Sequence, residues 1–342
     1  MGAGASSELG LPIGSQLKEH ISRLLRIEFD DWGSKLERGD RSICEALRAY
    51  ATEIHDGQRL INPFLPDLHR ISDAMPQAIS IDHFINDQRG RGNIDICGKL
   101  GISRAILLAE KTSSLYLRDE RRDERIDLSK TETSWLNPFA RIITQSCTSD
   151  GLAERFSHIG LVIFNYDRCV EHFMYYWLQS YYKMGPDKAA ELVQCLDIYH
   201  PYGTVGSLPW QNQQQGVSYG CDPQPDQLLK IAKQIKTFTE GTDPSSSDIC
   251  GIRELISDAE RVVFLGFAFH ALNLDLLRST ARANVSQRAI YGTALGMSDV
   301  DLGIVQVELA NMFNCGSDFV RLRSNLSCNK IFSEFNRGLS VQ

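Results

Sequence analysis

The stretch HIGLVIFNYDRCVEHF, residues 158–173, decides the fold that we predict for this chain. Its apolar run, Ile159 to Phe164, is short and rich in β-branched residues, which is typical of a strand buried on both faces of a parallel sheet. The run stops at Asn165-Tyr166-Asp167, and apolar residues then recur at helical spacing. Polar groups therefore follow the carboxyl end of a central strand, where open α/β sheets bind ligands. Taken alone, Asp167 is better explained as a helix cap.

Composition and charge limit the class of protein. The chain has 342 residues, enough for about two domains or for one large domain with an insertion. The formal net charge of −7 argues against direct nucleic-acid binding, which requires a basic face. The arginine-rich segment 118–125 also contains interspersed acids, which predicts a solvated helix face. The sequence contains neither an apolar run of the roughly 20 residues that cross a bilayer nor a signal-peptide pattern at its N-terminus.

The nine cysteines are scattered, and no two form a C-x-x-C pair. This spacing excludes an ordinary zinc ribbon and favours reduced thiols in a cytosol. We therefore expect a cytoplasmic protein without a metal site or a disulfide framework, and without membrane association.

Glycines at positions 2 and 4 precede a predicted helix at 15–26. Such a loop can bring N–H groups close to a phosphate, but it normally follows a strand, and here only Met1 precedes it. Either the true start lies upstream, or a first strand has been lost, or the loop is held in another way. Small residues are common at termini, so the G-x-G pattern is a weak signal.

The spacing of apolar residues divides the rest of the chain into a mostly helical part and a part in which strands alternate with helices. Residues 29–157 read as mostly helical, with short amphipathic segments such as Trp32-x3-Leu36, longer ones at 101–117 and 135–148, and a helix start capped by Ser80. Beyond them, strands are predicted at 159–164, 196–199, 261–265, 288–291 and 319–322. The intervening predicted helices lie at 168–182, 187–195, 227–238, 272–282 and 300–313, with a loop at 208–226 and a polar linker at 239–248.

Strands that alternate with helices indicate a parallel sheet covered on both faces. The predicted fold class is therefore α/β, with a Rossmann-like parallel sheet and an inserted mostly helical module. We assign residues 1–28 and 158–342 to the Rossmann-like domain and residues 29–157 to the module.

Small or polar residues end several of these strands: Asn165 to Asp167, His200 to Gly206, Gly266 to Asn273, and Gly292-Thr293. If the strands are parallel, these residues and the loop at Gly2 lie at one edge of the sheet and could converge on a single ligand.

The order of these stretches resembles the sirtuin-like family, and within it the bacterial antiphage-defence NAD+ hydrolases. The likeness covers nearly the whole chain. It is carried by GAGASSELGLP (2–12), SIDHF (80–84), FNYDRCVE (164–171), YHPYG (199–203) and LGFAF (265–269). The resemblance implies an NAD+ glycohydrolase that releases nicotinamide and ADP-ribose, with NAD+ as its substrate and no metal.

The resemblance also implies roles for individual residues. Asn165 would contact the ribose next to nicotinamide, and Asp167 would support the pocket or the same sugar. The residues expected to bind the remainder of NAD+ are Gly2, Ala3, Gly4 and Ser6 at the phosphates, Gly266 and Phe267 near the adenosine half, and Asn273 and Gly292 at the following strand ends. For Asn273 and its neighbour His270, a helix-start cap is an equally good explanation.

One position departs from the family pattern. Sirtuin-like proteins place a catalytic histidine directly before a glycine, and here that position is Tyr202. Cleavage of the nicotinamide–ribose bond builds positive charge on the sugar and needs a base, for which a histidine has a suitable pKa. Either His200 takes this role, or Tyr202 does, or the site binds NAD+ without turnover.

Three functions remain open at this point. The first is an abortive-infection NAD+ hydrolase, restrained by its helical module, by homo-oligomerisation, or by a partner defence protein such as an ATPase or a nucleic-acid sensor. The second is a catalytically weak subunit that senses NAD+ or ADP-ribose. The third, an NAD+-dependent deacylase, is disfavoured because Ile13-Gly14 stands where deacylases have a Phe-Arg pair and because zinc cysteines are missing.

Overall fold

The computed structural model describes residues 1–54, 60–117, 126–243, 248–278 and 288–340, and the fold is mixed α/β. The arginine-rich segment at 118–125 lies outside these ranges. All nine cysteines are free thiols. Within the ranges given, no helix combines the length and the apolar character needed to cross a membrane.

The first part of the chain is mostly helical, as predicted. Its helices are α1 (Ala3–Ser7), α2 (Gly14–Leu25), α3 (Arg41–Ile54), α4 (Leu65–Ala74), α5 (Ile81–Asp87), α6 (Ile94–Thr112), α7 (Leu136–Thr144) and α8 (Leu152–Ser157). Ser80 caps α5 as predicted, because its hydroxyl accepts a hydrogen bond of 3.0 Å from the N–H of His83.

Two details of this part differ from the prediction. A short antiparallel pair, β1 (Glu28–Phe29) and β2 (Leu36–Arg38), replaces the amphipathic helical segment expected at Trp32 to Leu36. Trp32 is 90% exposed, so Trp32 and Leu36 do not form the buried face of a helix, although their spacing suggests one. Helix α6 begins at Ile94 rather than at 101. Its first residues were missed because the helix is buried on nearly all sides, so its sequence lacks the one-sided apolar period by which a helix is recognised.

The second part alternates strands with helices. The strands are β3 (Gly160–Val162), β4 (Asp197–Tyr199), β5 (Arg261–Phe264), β6 (Ala289–Thr293) and β7 (Val320–Arg323). The helices are α9 (Cys169–Tyr181), α10 (Pro186–Val193), α11 (Pro225–Ala232), α12 (Phe238–Thr242), α13 (Ile249–Asp258), α14 (Ala271–Leu277), α15 (Asp299–Met312), α16 (Cys328–Glu334) and α17 (Asn336–Leu339).

The strands form two small parallel sheets rather than the one continuous sheet that the pattern indicates. Strand β3 pairs with β4, and β5, β6 and β7 pair in that order. Residues 1 and 2 connect the two sheets at their carboxyl ends. The amino group of Met1 donates to the carbonyl of Val162 (2.7 Å), and the N–H of Gly2 donates to the carbonyl of Leu265 (3.0 Å). The loop at Gly2 thus lies between β3 and β5.

Several helices were not predicted. The expected polar linker at 239–248 contains α12, whose start is stabilised by a capping box between Thr237 and Glu240. Helices α13, α16 and α17 were missed as well. Helix α14 ends at Leu277, and the remainder of the predicted helix at 272–282 falls largely outside the described residues.

The hydrophobic core consists of two clusters, and each draws on both parts of the chain. One cluster joins Leu100 of α6 to Ile290 of β6. The other joins Trp135, just before α7, to Phe173 of α9. Both clusters pack helices of residues 29–157 directly against the elements that carry the strand ends.

Candidate functional site

The first residue of the candidate site, Asn165, follows β3. Its side-chain Nδ2 donates a hydrogen bond of 2.9 Å to Oγ of Ser6, which is buried in α1. The N–H of Gly4 donates to the carbonyl of Gly266 at 3.0 Å, so α1 is held against the end of β5. Residues from the N-terminal loop, β3 and β5 therefore meet at one edge.

His200 follows β4, the partner strand of β3, and its imidazole lies against the same edge. Its Nδ1 is 3.2 Å from the backbone carbonyl oxygen of Asn165. Its Nε2 is 2.8 Å from Oε1 of Glu171 in α9. The side chains of His200 and Glu171 are 11% and 6% exposed, so water is largely excluded from this pair.

Both ring nitrogens of His200 thus face oxygen atoms that accept hydrogen bonds. Burial is the largest single effect and lowers the pKa of His200. The charge of Glu171, the hydrogen bonds to Glu171 and Asn165, and the charge of Asp167 together outweigh it, and the pKa is raised above its ordinary value. In this arrangement His200 is a poor candidate for a free base.

Asp167 is 3% exposed, and its Oδ1 accepts a hydrogen bond of 3.2 Å from the N–H of Cys169, the first residue of α9. The carboxylate therefore stabilises the start of the helix, which is the ordinary role of an acid at this position. The same carboxylate adds negative potential close to His200.

Tyr202 occupies the position directly before Gly203. Its hydroxyl donates a hydrogen bond of 2.6 Å to Oδ1 of Asn273 in α14, and burial raises its pKa. Phe164 packs edge-on against both Tyr202 and Phe267, with ring centroids 5.8 and 5.1 Å apart. An aromatic wall therefore connects the ends of β3, β4 and β5.

The helical part contributes one acid to this edge. The hydroxyl of Tyr166 donates a hydrogen bond to Oδ1 of Asp82 in α5. Burial raises the pKa of the Asp82 carboxyl, although the bond from Tyr166 acts in the opposite direction. Asp82, in the first turn of α5, thus contacts Tyr166, the residue that follows Asn165 in the sequence.

The glycines at this edge serve close backbone packing. Gly266 has a φ of +54°, and a Cβ at this position would lie 2.1 Å from the N atom of Ala5. The N–H groups of Gly2 and Gly4 donate to backbone carbonyls. A phosphate bound here would therefore have to be met by other donors of the loop, such as Ala3, or by the hydroxyl of Ser6. Gly292 lies within β6, where a Cβ would press on Leu322 at 2.7 Å.

A buried ion pair that no sequence motif indicated supports the site. Arg168 Nη2 lies 2.5 Å from Oε2 of Glu110, and the two side chains are 1% and 0% exposed. Arg168 also donates to the carbonyls of Gly206 and Val217, while Glu110 accepts from the N–H of Gly220. The pair thus fixes the loop that follows the Tyr202 segment. An Arg directly after Asn-Tyr-Asp was the available signal, but nothing in the pattern indicated its partner.

Chemically, the site offers a side-chain amide, buried carboxylates and an aromatic wall. Oδ1 of Asn165 accepts no hydrogen bond from any residue in the described ranges, so it is available to a ligand hydroxyl or to water. In the same ranges, no group of His, Cys, Asp and Glu side chains is arranged to hold a metal ion.

Comparison of the chain with protein-family models, with curated proteins and with solved structures finds no match.

Proposed function

We propose that this chain is an NAD+ glycohydrolase, which cleaves the nicotinamide–ribose bond to give nicotinamide and ADP-ribose. The observation that carries the proposal is the chain of hydrogen bonds from Ser6 through Asn165 and His200 to Glu171. It joins three of the quoted stretches, 2–12, 164–171 and 199–203, at the carboxyl ends of parallel strands, where α/β proteins bind nucleotides. We further propose that the two parallel sheets act as the halves of a Rossmann-like fold around the loop at Gly2.

The proposed chemistry follows from the charge that develops during bond cleavage. The sugar becomes oxocarbenium-like, so negative potential close to it lowers the barrier. The carboxylate of Asp167, two residues after Asn165 in the sequence, would supply such a potential. Oδ1 of Asn165 would hold a ribose hydroxyl or the attacking water, and the proton that the water loses on adding to the sugar would pass to solvent. The nicotinamide leaves as a neutral ring and needs no acid.

The biological role that we propose is NAD+ depletion in antiphage defence, with activity restrained in a homo-oligomer or by a partner protein. The experiment incubates purified protein with NAD+, alone and with extract of phage-infected cells, and separates the products by chromatography. Nicotinamide release that is lost in Asn165→Ala is the expected result. Asn311→Ala serves as the control, because Asn311 is exposed on α15. Full activity in Asn165→Ala, or no release under either condition, would contradict the proposal.

A second candidate is a subunit that binds NAD+ or ADP-ribose without turnover. It is favoured by the engagement of both nitrogens of His200 and of the hydroxyl of Tyr202, which leaves neither group free to act as a base. This function predicts thermal stabilisation by NAD+ without any product. Turnover by the wild-type protein would exclude it.

A further inference from the structure

The contacts of Glu171 carry an inference about how the site is held together. Oε1 of this carboxylate lies 2.8 Å from Nε2 of His200, and His200 in turn contacts the backbone carbonyl of Asn165 through Nδ1. Glu171 is 5% exposed, and its Oε2 has no hydrogen-bond partner among the described residues. A buried carboxylate oxygen without a partner is costly, so this acid is retained at a cost in stability.

The two contacts of His200 decide the number of protons in the pair. A backbone carbonyl only accepts, so Nδ1 must carry a hydrogen. Nε2 then either donates to ionised Glu171 or accepts from protonated Glu171. In both cases the pair holds one proton more than a neutral imidazole beside a carboxylate. Removing that proton would leave a ring lone pair facing an oxygen atom, and that contact would become repulsive. The lone pair would be on Nε2 against Glu171 or, in the other tautomer, on Nδ1 against the carbonyl of Asn165.

This proton links Glu171 to the geometry of Asn165. The side chain of Asn165 is held by Ser6, and its main chain is held by His200. The first contact fixes Nδ2, the second fixes the peptide unit that carries the side chain, and together they aim Oδ1. If the second contact is lost, the peptide unit can rotate while the bond to Ser6 alone remains.

We propose that Glu171 is a positioning residue, which acts through a protonated pair with His200 to hold the main chain of Asn165 in its working orientation. His200 is then part of the support of the site rather than its base. This inference rests on the proposed function for its kinetic consequences, but the protonation of the pair does not depend on any activity.

The surroundings of His200 determine the direction of the pH dependence. The charged groups that act on it are the carboxylates of Glu171 in α9 and of Asp167 at the end of β3. The negative charge of both carboxylates holds the extra proton on the pair. The contact between Glu171 and His200 is therefore complete below about pH 6.5, the ordinary pKa of histidine, and is lost as the pH rises through the raised pKa of His200 in the folded protein.

Three substitutions test the proposal. Glu171→Gln keeps the shape, and its amide can donate to Nε2 of a neutral imidazole, so the contact no longer needs the extra proton. Glu171→Ala removes the contact. Glu191→Gln is the control, because Glu191 is an exposed acid of α10 whose partner is Lys188.

The first measurement is the protonation of His200 by NMR of histidine-labelled full-length protein, with the signal assigned by His200→Gln. In the wild type and in Glu191→Gln, we expect the extra proton on the pair to persist above pH 6.5. In Glu171→Gln, we expect a neutral ring with hydrogen on Nδ1 at pH 7. Identical titration of His200 in wild type and Glu171→Gln would overturn the proposal, whether or not the protein cleaves NAD+.

The second measurement is the pH profile of NAD+ turnover. Wild-type kcat should fall as the pH rises through the raised pKa of His200, whereas Glu171→Gln should retain activity and lose this alkaline limb. Glu171→Ala should lose about 100-fold in kcat with little change in KM, the size of effect expected from misplacing a reacting group by about 1 Å. A uniform loss at every pH in Glu171→Gln would indicate a merely structural role and contradict the proposal. If the wild type shows no turnover, the proposed function fails, and the NMR titration still decides the role of Glu171.

Discussion

Substitution of Gly266 by alanine tests how the N-terminal loop is held against β5. The φ of Gly266 is +54°, and an added Cβ would lie 2.1 Å from the N atom of Ala5 and 2.3 Å from the carbonyl carbon of Gly4. The left-handed conformation costs alanine about 1–2 kcal/mol. Overpacking against backbone atoms, which cannot turn aside, adds about 1–3 kcal/mol. We therefore expect Gly266→Ala to lower the free energy of unfolding by about 2–5 kcal/mol.

The matched control for this substitution is Gly296→Ala. Gly296 has a φ of +80°, but its Cβ would meet no atom within 4 Å. It should therefore show only the conformational cost of about 1–2 kcal/mol. Both variants are measured by urea denaturation at pH 7, and the difference between them isolates the contact with the loop. Equal losses in the two variants would refute the close packing of Gly266 on Gly4 and Ala5.

Three further predictions concern buried polar groups near the site. Glu110→Gln leaves the guanidinium of Arg168 without a carboxylate and should cost about 3–5 kcal/mol in urea denaturation, part of which Arg168→Met should restore in the double variant. Burial and the charge of Arg168 lower the pKa of His172 to about 3. The free energy of unfolding should therefore fall as the pH drops from about 6.5 to 3, by up to about 1.4 kcal/mol per pH unit. His172→Phe should flatten this dependence, and an unchanged slope would contradict the assignment. Tyr202→Phe should lower the free energy of unfolding by about 1 kcal/mol, because it removes the hydrogen bond to Asn273. Adding Asn273→Ala should lower it little further, and fully additive losses would argue against the bond.

Much of the secondary structure in the second part of the chain could be predicted, because its strands are short apolar runs that end in polar residues. The strand at 159–164, for example, is recognised by its β-branched residues, and β3 lies within it. Parallel strands end at one edge, which is why residues as distant as Asn165 and His200 could be expected near each other. Which strands pair with each other could not be predicted, because three-residue strands such as β3 and β4 carry too few side chains to specify their neighbours.

Contacts between distant parts of the chain were beyond the reach of sequence patterns. The partner of Arg168 is Glu110, which lies in a helix buried on nearly all sides. In such a helix a buried acid looks like an ordinary surface residue, because the period that separates the two faces is absent. The role of Glu171 was hidden for a related reason. Its place in the FNYDRCVE stretch was visible, but only the geometry reveals that its carboxylate contacts Nε2 of His200.

The position of residues 1 and 2 has a consequence for synthesis on the ribosome. Their hydrogen-bond partners are Val162 and Leu265, which are translated much later than residues 1 and 2 themselves. At a typical elongation rate of about 5–20 residues per second, residues 1 and 2 wait on the order of ten seconds or more for β5. Until then the edge at Asn165 is incomplete, so the nascent protein acquires its candidate site only after β5 has been translated.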